Sequence, residues 1–541
     1  MNQPPAPILL GLETEYAVSR SLPTGRRLPI SEEFLRVAKS QFPCLPDRRG
    51  TGVFLGNGAR FHIDTGDHPE YATGECTTPF DLLEQIRQGE AFMADLGSRV
   101  AATSPYTEVA VYRSNVDYHR EALGRPSPGW GCHENYLVRD TADRYAAELM
   151  PHLASRVIYT GAGGLDPSSP AIAFSLSPRA GLLETEISME STARRPLLHV
   201  RDEPHNGRNW HRAHLICGES VCGDVPIVLK AGVTALVLVA IQAGLGPGSA
   251  VGLGSPLAAI KTFAADPTCR ATVKLTDGRP VTAVELQRSY LRSVESAWAG
   301  GFLPDWAPAV IRLWAEHLDI LERDPRDAAD SLDWVMKHEL FARWAGSRLW
   351  SQSRTISGLL PRVKRVARRL GGETLVGLVT DLLERSSPES GDVERLAPLF
   401  RASGSTWEEL VDLLSLRPAL QELDYRFGQL GGGGVFESLD RQGLCRRLVE
   451  RPVRETPLGD PPADTRANFR AAVVRQHGHD PRRHRFSCDW GVVVDRIERQ
   501  ILHLSDPFDP APQWTALPPE VERPIVRQRW IDVEGLFSEV F

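Results

Sequence analysis

Residues 57–76 read Asn57-Gly58-Ala59-Arg60-Phe61-His62-Ile63-Asp64-Thr65-Gly66-Asp67-His68-Pro69-Glu70-Tyr71-Ala72-Thr73-Gly74-Glu75-Cys76. Successive side chains of a strand point to opposite faces, so Arg60, His62 and Asp64 share one face while Phe61 and Ile63 take the other. The Gly/Asp/His/Pro run after Asp64 turns the chain, and a second extended piece brings back Glu70 and Glu75. One ionic and one apolar face demand a sheet that is buried on one side only. A hairpin with solvated charges satisfies that pattern. So does a site that handles phosphates, divalent metal and protons.

The same alternation recurs before and after this hairpin. In the opening strand, residues 8–18, Glu13 and Glu15 stand two apart and point the same way. Two carboxylates on one face of an apolar strand repel each other and lose hydration, which calls for a positive charge between them. Hard oxygen ligands of this kind suit Mg²⁺. At 131–138 the strand Gly-Cys-His-Glu-Asn-Tyr-Leu-Val places His133 and Asn135 on one face and Glu134 on the other. Arg201, in the polar run 199–205, offers the planar fork that binds phosphate oxygens.

The remainder reads as mixed helix and strand: helices near 31–38 and 80–100, a strand near 109–117, a largely helical stretch from 283 to 416, and strands at 486–494 and 501–504. The longest apolar run, 231–241, is too short to span a bilayer and reads as a buried helix, so no membrane partner is expected. Residues 362–370 form a basic amphipathic pattern, and Gly431–Gly434 reads as a turn or gate, since no Lys-Ser/Thr follows it. A formal net charge of -7 argues against nucleic acid as a partner. Eight cysteines without a CxxC pair argue against both a zinc knuckle and a disulfide scaffold and point to a reducing, cytoplasmic setting.

The Glu-x-Glu strand, Asn57-Gly58-Ala59-Arg60 with its following acids, Gly131-Cys132-His133-Glu134-Asn135-Tyr136, Arg201-Asp202-Glu203-Pro204-His205, Leu332-Asp333-Trp334, and Asp489-Trp490 followed by Ser505-Asp506-Pro507-Phe508 occur in order along the chain. Together they resemble the Pup (prokaryotic ubiquitin-like protein) ligases and the related Pup deamidase/depupylase, relatives of glutamine synthetase and glutamate-cysteine ligase. The resemblance implies an α+β fold. Residues 1–460 would form a large glutamine-synthetase-like domain with a curved antiparallel sheet flanked by helices. Residues 461–541 would form a small C-terminal domain contributing to the nucleotide site.

By motif position the resemblance makes Glu13 and Glu70 Mg²⁺ ligands, Arg60 and Thr73 ATP contacts, Trp490 a nucleotide contact and Asp64 the catalytic base. Glu15, His133, His214 and Arg201 are further candidates for metal and phosphate. Position 62 departs from the family pattern, where tyrosine is usual on the metal side, and His62 puts metal count in question. The short stretch between Val18 and Asn57, and Cys132 where the deamidase branch more often has serine, favour the ligase branch. The implied reaction is ATP-dependent. A glutamate side-chain carboxylate at the C-terminus of a small disordered Pup-like modifier is phosphorylated, then transferred to a lysine of a target protein, marking it for proteasomal degradation. Deamidation or release of the same modifier, and ligation of a small-molecule carboxylate to an amine, are the alternatives.

Overall fold

The computed structural model describes residues 8–21, 30–103, 108–118, 129–167, 172–190, 194–201, 210–351, 364–377, 397–399, 402, 407–450, 457–480 and 482–518. A nine-stranded sheet forms its centre. From one edge to the other its strands are Thr185–Ser188, Pro196–His199, His211–Leu215, Cys132–Val138, Leu10–Glu15, His68–Ala72, Arg60–Asp64, Gly52–Leu55 and Cys44–Pro46. Every pairing is antiparallel except the first, Thr185–Ser188 against Pro196–His199. The acidic strand and the hairpin read from the sequence are therefore neighbours at the middle of one curved sheet within an α+β fold.

One face of the sheet is packed by helices. Leu10, Leu12, Tyr136, Val138, Leu198 and Leu215 join a core that includes the helix running from Asp224 to Gln242, which is wholly buried. Among the described residues this is the one helix long and apolar enough to cross a membrane, and its burial inside the protein accounts for that composition. It contains a π-helical stretch, Leu229–Val233. Helix Pro79–Thr103 joins two cores. It begins at Thr78, whose hydroxyl accepts a hydrogen bond from the Asp81 backbone N–H at 3.0 Å, with Pro79 preset for the first turn. Leu82, Leu83 and Ile86 enter the first core, while Phe92, Met93, Leu96 and Val100 meet Phe34, Phe61 and Tyr71 in the second.

Two expectations need refinement. The opening strand is two strands, Leu10–Glu15 and Ala17–Ser21, because the ladder with His68–Ala72 ends at Tyr16: its N–H reaches the Pro69 carbonyl (2.9 Å), but Pro69 has no N–H to return. The second piece leaves the main sheet and pairs with Glu108–Tyr112. The strand expected at 486–494 is likewise a hairpin, Phe486–Asp489 and Val492–Asp495, with Trp490 at its turn. Residues 364–377 are helical, with Arg368 exposed and paired to Glu373 at 2.6 Å; positions 362 and 363 lie outside the described residues. Gly431 and Gly432 adopt φ of 87° and 90° in a turn, and their N–H groups are taken by Glu437.

The C-terminal strands share their core with the edge of the main sheet. Leu45 and Phe54 pack with Val474, Phe486, Cys488, Val493, Leu502 and Leu504. Helix Arg466–His477 approaches the turn before Arg60 so closely that a Cβ at Gly58 (φ 81°) would lie 2.8 Å from the Ala467 carbonyl. Glycine is the residue that permits this contact.

Candidate active site on the open face of the sheet

The face opposite the helices carries the ionic side chains, and strand register decides which of them meet. Glu15, Glu70 and His62 lie in one row across three strands; Glu13 lies opposite Ala72 on one side and His133 on the other. His214 is opposite Asn135, and His199 opposite His214. Two groups result, each with its ligand atoms within 4.8 Å of one another: Glu13, His133 and His214, and His62, Asp64 and Glu70.

In the first group His133 Nδ1 is 3.5 Å and His214 Nε2 3.7 Å from Glu13 Oε2, while Arg212 donates to Glu13 Oε1 at 3.3 Å and to Asn135 at 2.6 Å. Burial works to raise the Glu13 carboxyl, but Arg212 and the two imidazoles outweigh it and hold it well below the ordinary carboxylate range. In the second group His62 Nε2 is 3.4 Å from Glu70 Oε1. Burial, then the charges of Glu13, Asp64 and Glu15, push the Glu70 carboxyl well above its ordinary value. Asp64 is raised as well, by burial and by Glu15 and Glu13, against a hydrogen bond from the Thr65 backbone. Four acids on one face are thus short of positive charge on the Glu70 side. Burial and Arg60 lower the His62 imidazole to about 3, and burial and Arg212 bring His214 to about 3, so both rings stand neutral at physiological pH.

His62 Nδ1 and His214 Nε2 are buried without a hydrogen-bond partner among the described residues. Buried polar atoms are normally satisfied, so His214 Nε2, 3.7 Å from Glu13 Oε2, fits a bound divalent cation, while in the other group it is Nε2 of His62, the ring nitrogen on the Glu70 side, that is placed to ligate. Glu15 stands apart from both groups. Its Oε2 accepts from His68 at 3.1 Å and from the Gly131 backbone at 2.7 Å, and these contacts, with His133, draw it to about 2 against the opposing effect of burial.

A cleft of about 110 Å³ adjoins the first group, lined by Glu13, Thr73, Arg212, Arg466, Trp490 and Pro507 among others. Trp490 is fixed edge-on to Phe54 at 5.2 Å, with the Arg470 guanidinium 4.8 Å from its ring centre. Thr73 accepts the Leu12 backbone N–H at 3.1 Å. Glu75, brought back by the hairpin, is held by Arg466 and Arg470 at 2.6 Å each, which lowers its carboxyl to about 2 despite burial. It fastens the C-terminal segment to the sheet. Arg60 faces the same side as His62 but bonds Asp47 at 2.6 Å and Thr51 at 3.3 Å.

Of the residues singled out from the sequence, Glu13, His133 and His214 converge, as do His62, Asp64 and Glu70, and Thr73 and Trp490 line one cleft. Arg201 does not line that cleft: it is exposed, two residues past the end of Pro196–His199. Besides Arg60, the open face carries Arg212, which sequence reasoning passed over although it stands two residues from His214 and so shares its face. His199, whose Nδ1 is 3.2 Å from His214 Nδ1, was also missed because only strand pairing places it here, and His68 because its place in the turn hid that it stands two residues from Glu70 and shares its face.

A model of the Pup-ligase protein family matches residues 9–357 and 403–494. The chain is 30% identical over 516 residues to the Pup–protein ligase of Gordonia bronchialis, covering 92% of this chain and 96% of that one. It is 33% identical over 433 residues to the Pup deamidase/depupylase of Mycolicibacterium smegmatis, covering 79% of this chain and 73% of the relative. Among solved structures it resembles the ligase PafA in complex with Pup (TM-score 0.67, 23% identity, 98% and 94% of the two chains). It also resembles PafA in complex with ADP (TM-score 0.62, 23% identity, 93% and 94% covered). These two likenesses show a shared fold. With the match running through the acid-bearing sheet and on to the Trp490 hairpin, this chain belongs to the Pup-ligase protein family.

Proposed function

We propose that the chain is an ATP-dependent ligase that joins the C-terminal glutamate side-chain carboxylate of a small disordered Pup-like modifier to a lysine of target proteins, marking them for proteasomal degradation. The observation that carries this is the likeness to Pup–protein ligases along 92% of this chain and 96% of theirs, across a sheet face that gathers the acids such chemistry uses. Trp490, Thr73, Arg212 and Arg466 would surround the nucleotide in a cleft whose lining includes Arg466, Trp490 and Pro507, from the small second domain proposed for 461–541 beside a large domain 1–460. Arg60 is retained as a phosphate contact by motif position; Arg201, exposed and outside the cleft, is not. Divalent cations, Mg²⁺ by family resemblance, would be held by Glu13 with His133 and His214 beside it and by Glu70 with His62 beside it, Glu15 supporting through His68, and would neutralise phosphate charge.

The modifier carboxylate attacks the γ-phosphorus, the bond to the bridging oxygen breaks, and ADP leaves behind an acyl phosphate. The lysine amine then attacks the acyl carbon, phosphate departs and an isopeptide bond remains. Lysine is almost wholly protonated near neutrality, with a reference pKa of about 10.4, so its proton needs a positioned acceptor. Asp64 fills that role: it is the most open of its group, at the end of the Arg60–Asp64 strand, and its raised pKa makes it a better base than an ordinary aspartate. The eight free cysteines, seven of them buried, accord with work in a reducing cytoplasm.

The test uses purified chain, ATP, a lysine-bearing protein and a modifier ending in glutamate, read on a gel. New conjugates are expected from the wild type and none from Asp64→Asn, which still binds ATP. The deamidase/depupylase likeness favours a second reading, in which a modifier ending in glutamine is converted to glutamate or existing conjugates shorten. That outcome without new conjugates would overturn ligation.

A further inference from the structure

The proposed cation site holds a nitrogen donor where an oxygen donor would suit Mg²⁺. His62 lies in register with Glu70, its Nε2 3.4 Å from Glu70 Oε1, and its other ring nitrogen is buried with no hydrogen-bond partner among the described residues. Mg²⁺ requires near-ideal octahedral oxygen coordination and keeps its waters. Imidazole binds first-row transition cations in preference, with affinity rising along the Irving–Williams order. The neighbouring group adds two more imidazoles, His133 and His214, to the single carboxylate of Glu13. Three ring nitrogens thus share two adjacent sites with three carboxylates, a donor set closer to that of Mn²⁺ or Co²⁺ than of Mg²⁺.

We propose that His62 sets the cation preference of this site, so that with Glu70, and with Asp64 within reach of the cation's water, it selects a first-row transition divalent cation over Mg²⁺. The inference rests on reading the open face as the cation and nucleotide site; it puts a transition cation in place of the Mg²⁺ that family resemblance implies and names the residue that chooses it. Glu13, His133 and His214 hold the second ion of the pair. Neither His62 nor Glu70 has room to swing away, since both are buried in the centre of the sheet.

The test binds Mn²⁺ alone to the full chain and follows it by electron paramagnetic resonance. The free-ion signal gives the stoichiometry and affinity, Mg²⁺ serves as competitor, and pulsed spectra report nitrogen coupled to the bound ion. Two Mn²⁺ are expected. His62→Tyr and His62→Gln should weaken one of them by roughly tenfold or more relative to Mg²⁺, the cost of a lost group in a metal's surroundings, and reduce the nitrogen coupling. Circular dichroism checks that each variant is folded, and the second variant answers if the first is not. Equal displacement of Mn²⁺ by Mg²⁺ in the wild type, or unchanged binding and coupling in a folded variant, would overturn the inference. Conjugation is scored separately: a chain that prefers Mn²⁺ through His62 yet forms no conjugates refutes ligation and leaves this inference standing, whereas conjugation without that preference does the reverse.

Discussion

Replacing Glu75 by glutamine should loosen the C-terminal segment without touching the acids of the open face. The Glu75 carboxyl takes Arg466 Nε on one oxygen and Arg470 Nη2 on the other, and is held at about 2 against an ordinary 4.5. A displacement of that size corresponds to about 3 kcal/mol of folding free energy at neutral pH. The amide cannot accept both guanidinium groups, and Arg470, fully buried, keeps only the carbonyls of Gly58 and Trp490. Opening of helix Arg466–His477 should then become more frequent by on the order of a hundredfold, read as faster hydrogen exchange of its protected amides. Because the folded pKa lies below the unfolded one, the contribution is complete above about 4.5 and disappears as pH falls toward 2. The gap between wild type and Glu75→Gln should close across that window. Exchange within a few-fold of wild type at pH 7, or a gap that persists near pH 2, would refute the assignment of Glu75 as the anchor.

Trp490→Ala removes the aromatic wall of the cleft and should weaken ATP or ADP binding by about three- to tenfold, the range for a single aromatic contact, in a fluorescent-nucleotide titration. Unchanged affinity would place the base elsewhere. Arg212→Lys keeps the charge but loses the fork that spans Glu13 and Asn135, so kcat/KM for ATP should drop by roughly tenfold or more. A rate equal to wild type would remove Arg212 from the site. On the core face, Glu134→Gln strands the Arg156 guanidinium, which now makes two bonds of 2.6 and 2.7 Å to that carboxylate. A loss of about 3–5 kcal/mol in urea denaturation is expected. A loss below 1 kcal/mol would show that Arg156 finds another partner.

The two-residue period was enough to separate wet from dry. Phe61 is fully buried while Arg60, His62 and Asp64 face the open side, and Glu134 lies on the core face opposite His133. Its partner Arg156 could not be read, since nothing local links residue 134 to a helix end at 156. The same period applied to His214 reaches Arg212, so that omission was one of application. His199 depends on which strands pair and in what register, whereas His68 lies two residues from Glu70 and was hidden only because the strand begins earlier than the Gly/Asp/His/Pro run suggests. Glu75 resembled a site carboxylate because it follows Glu70 in the returning strand. Its true company, Arg466 and Arg470, comes from nearly the other end of the chain. The break at Tyr16 was hidden for a similar reason: the residue opposite it, Pro69, which has no N–H to give the ladder, is set by strand pairing.

Because Leu45 and Phe54 bury themselves against Phe486, Val493, Leu502 and Leu504, the margin of the central sheet has nothing to cover it until the last strands leave the ribosome. During synthesis the nascent polypeptide therefore carries an uncapped greasy border for most of its time on the ribosome, a hazard that chaperones guard against in slowly completed proteins. Prematurely terminated products would keep that border, and with it an unfinished cleft beside Glu13 and Thr73.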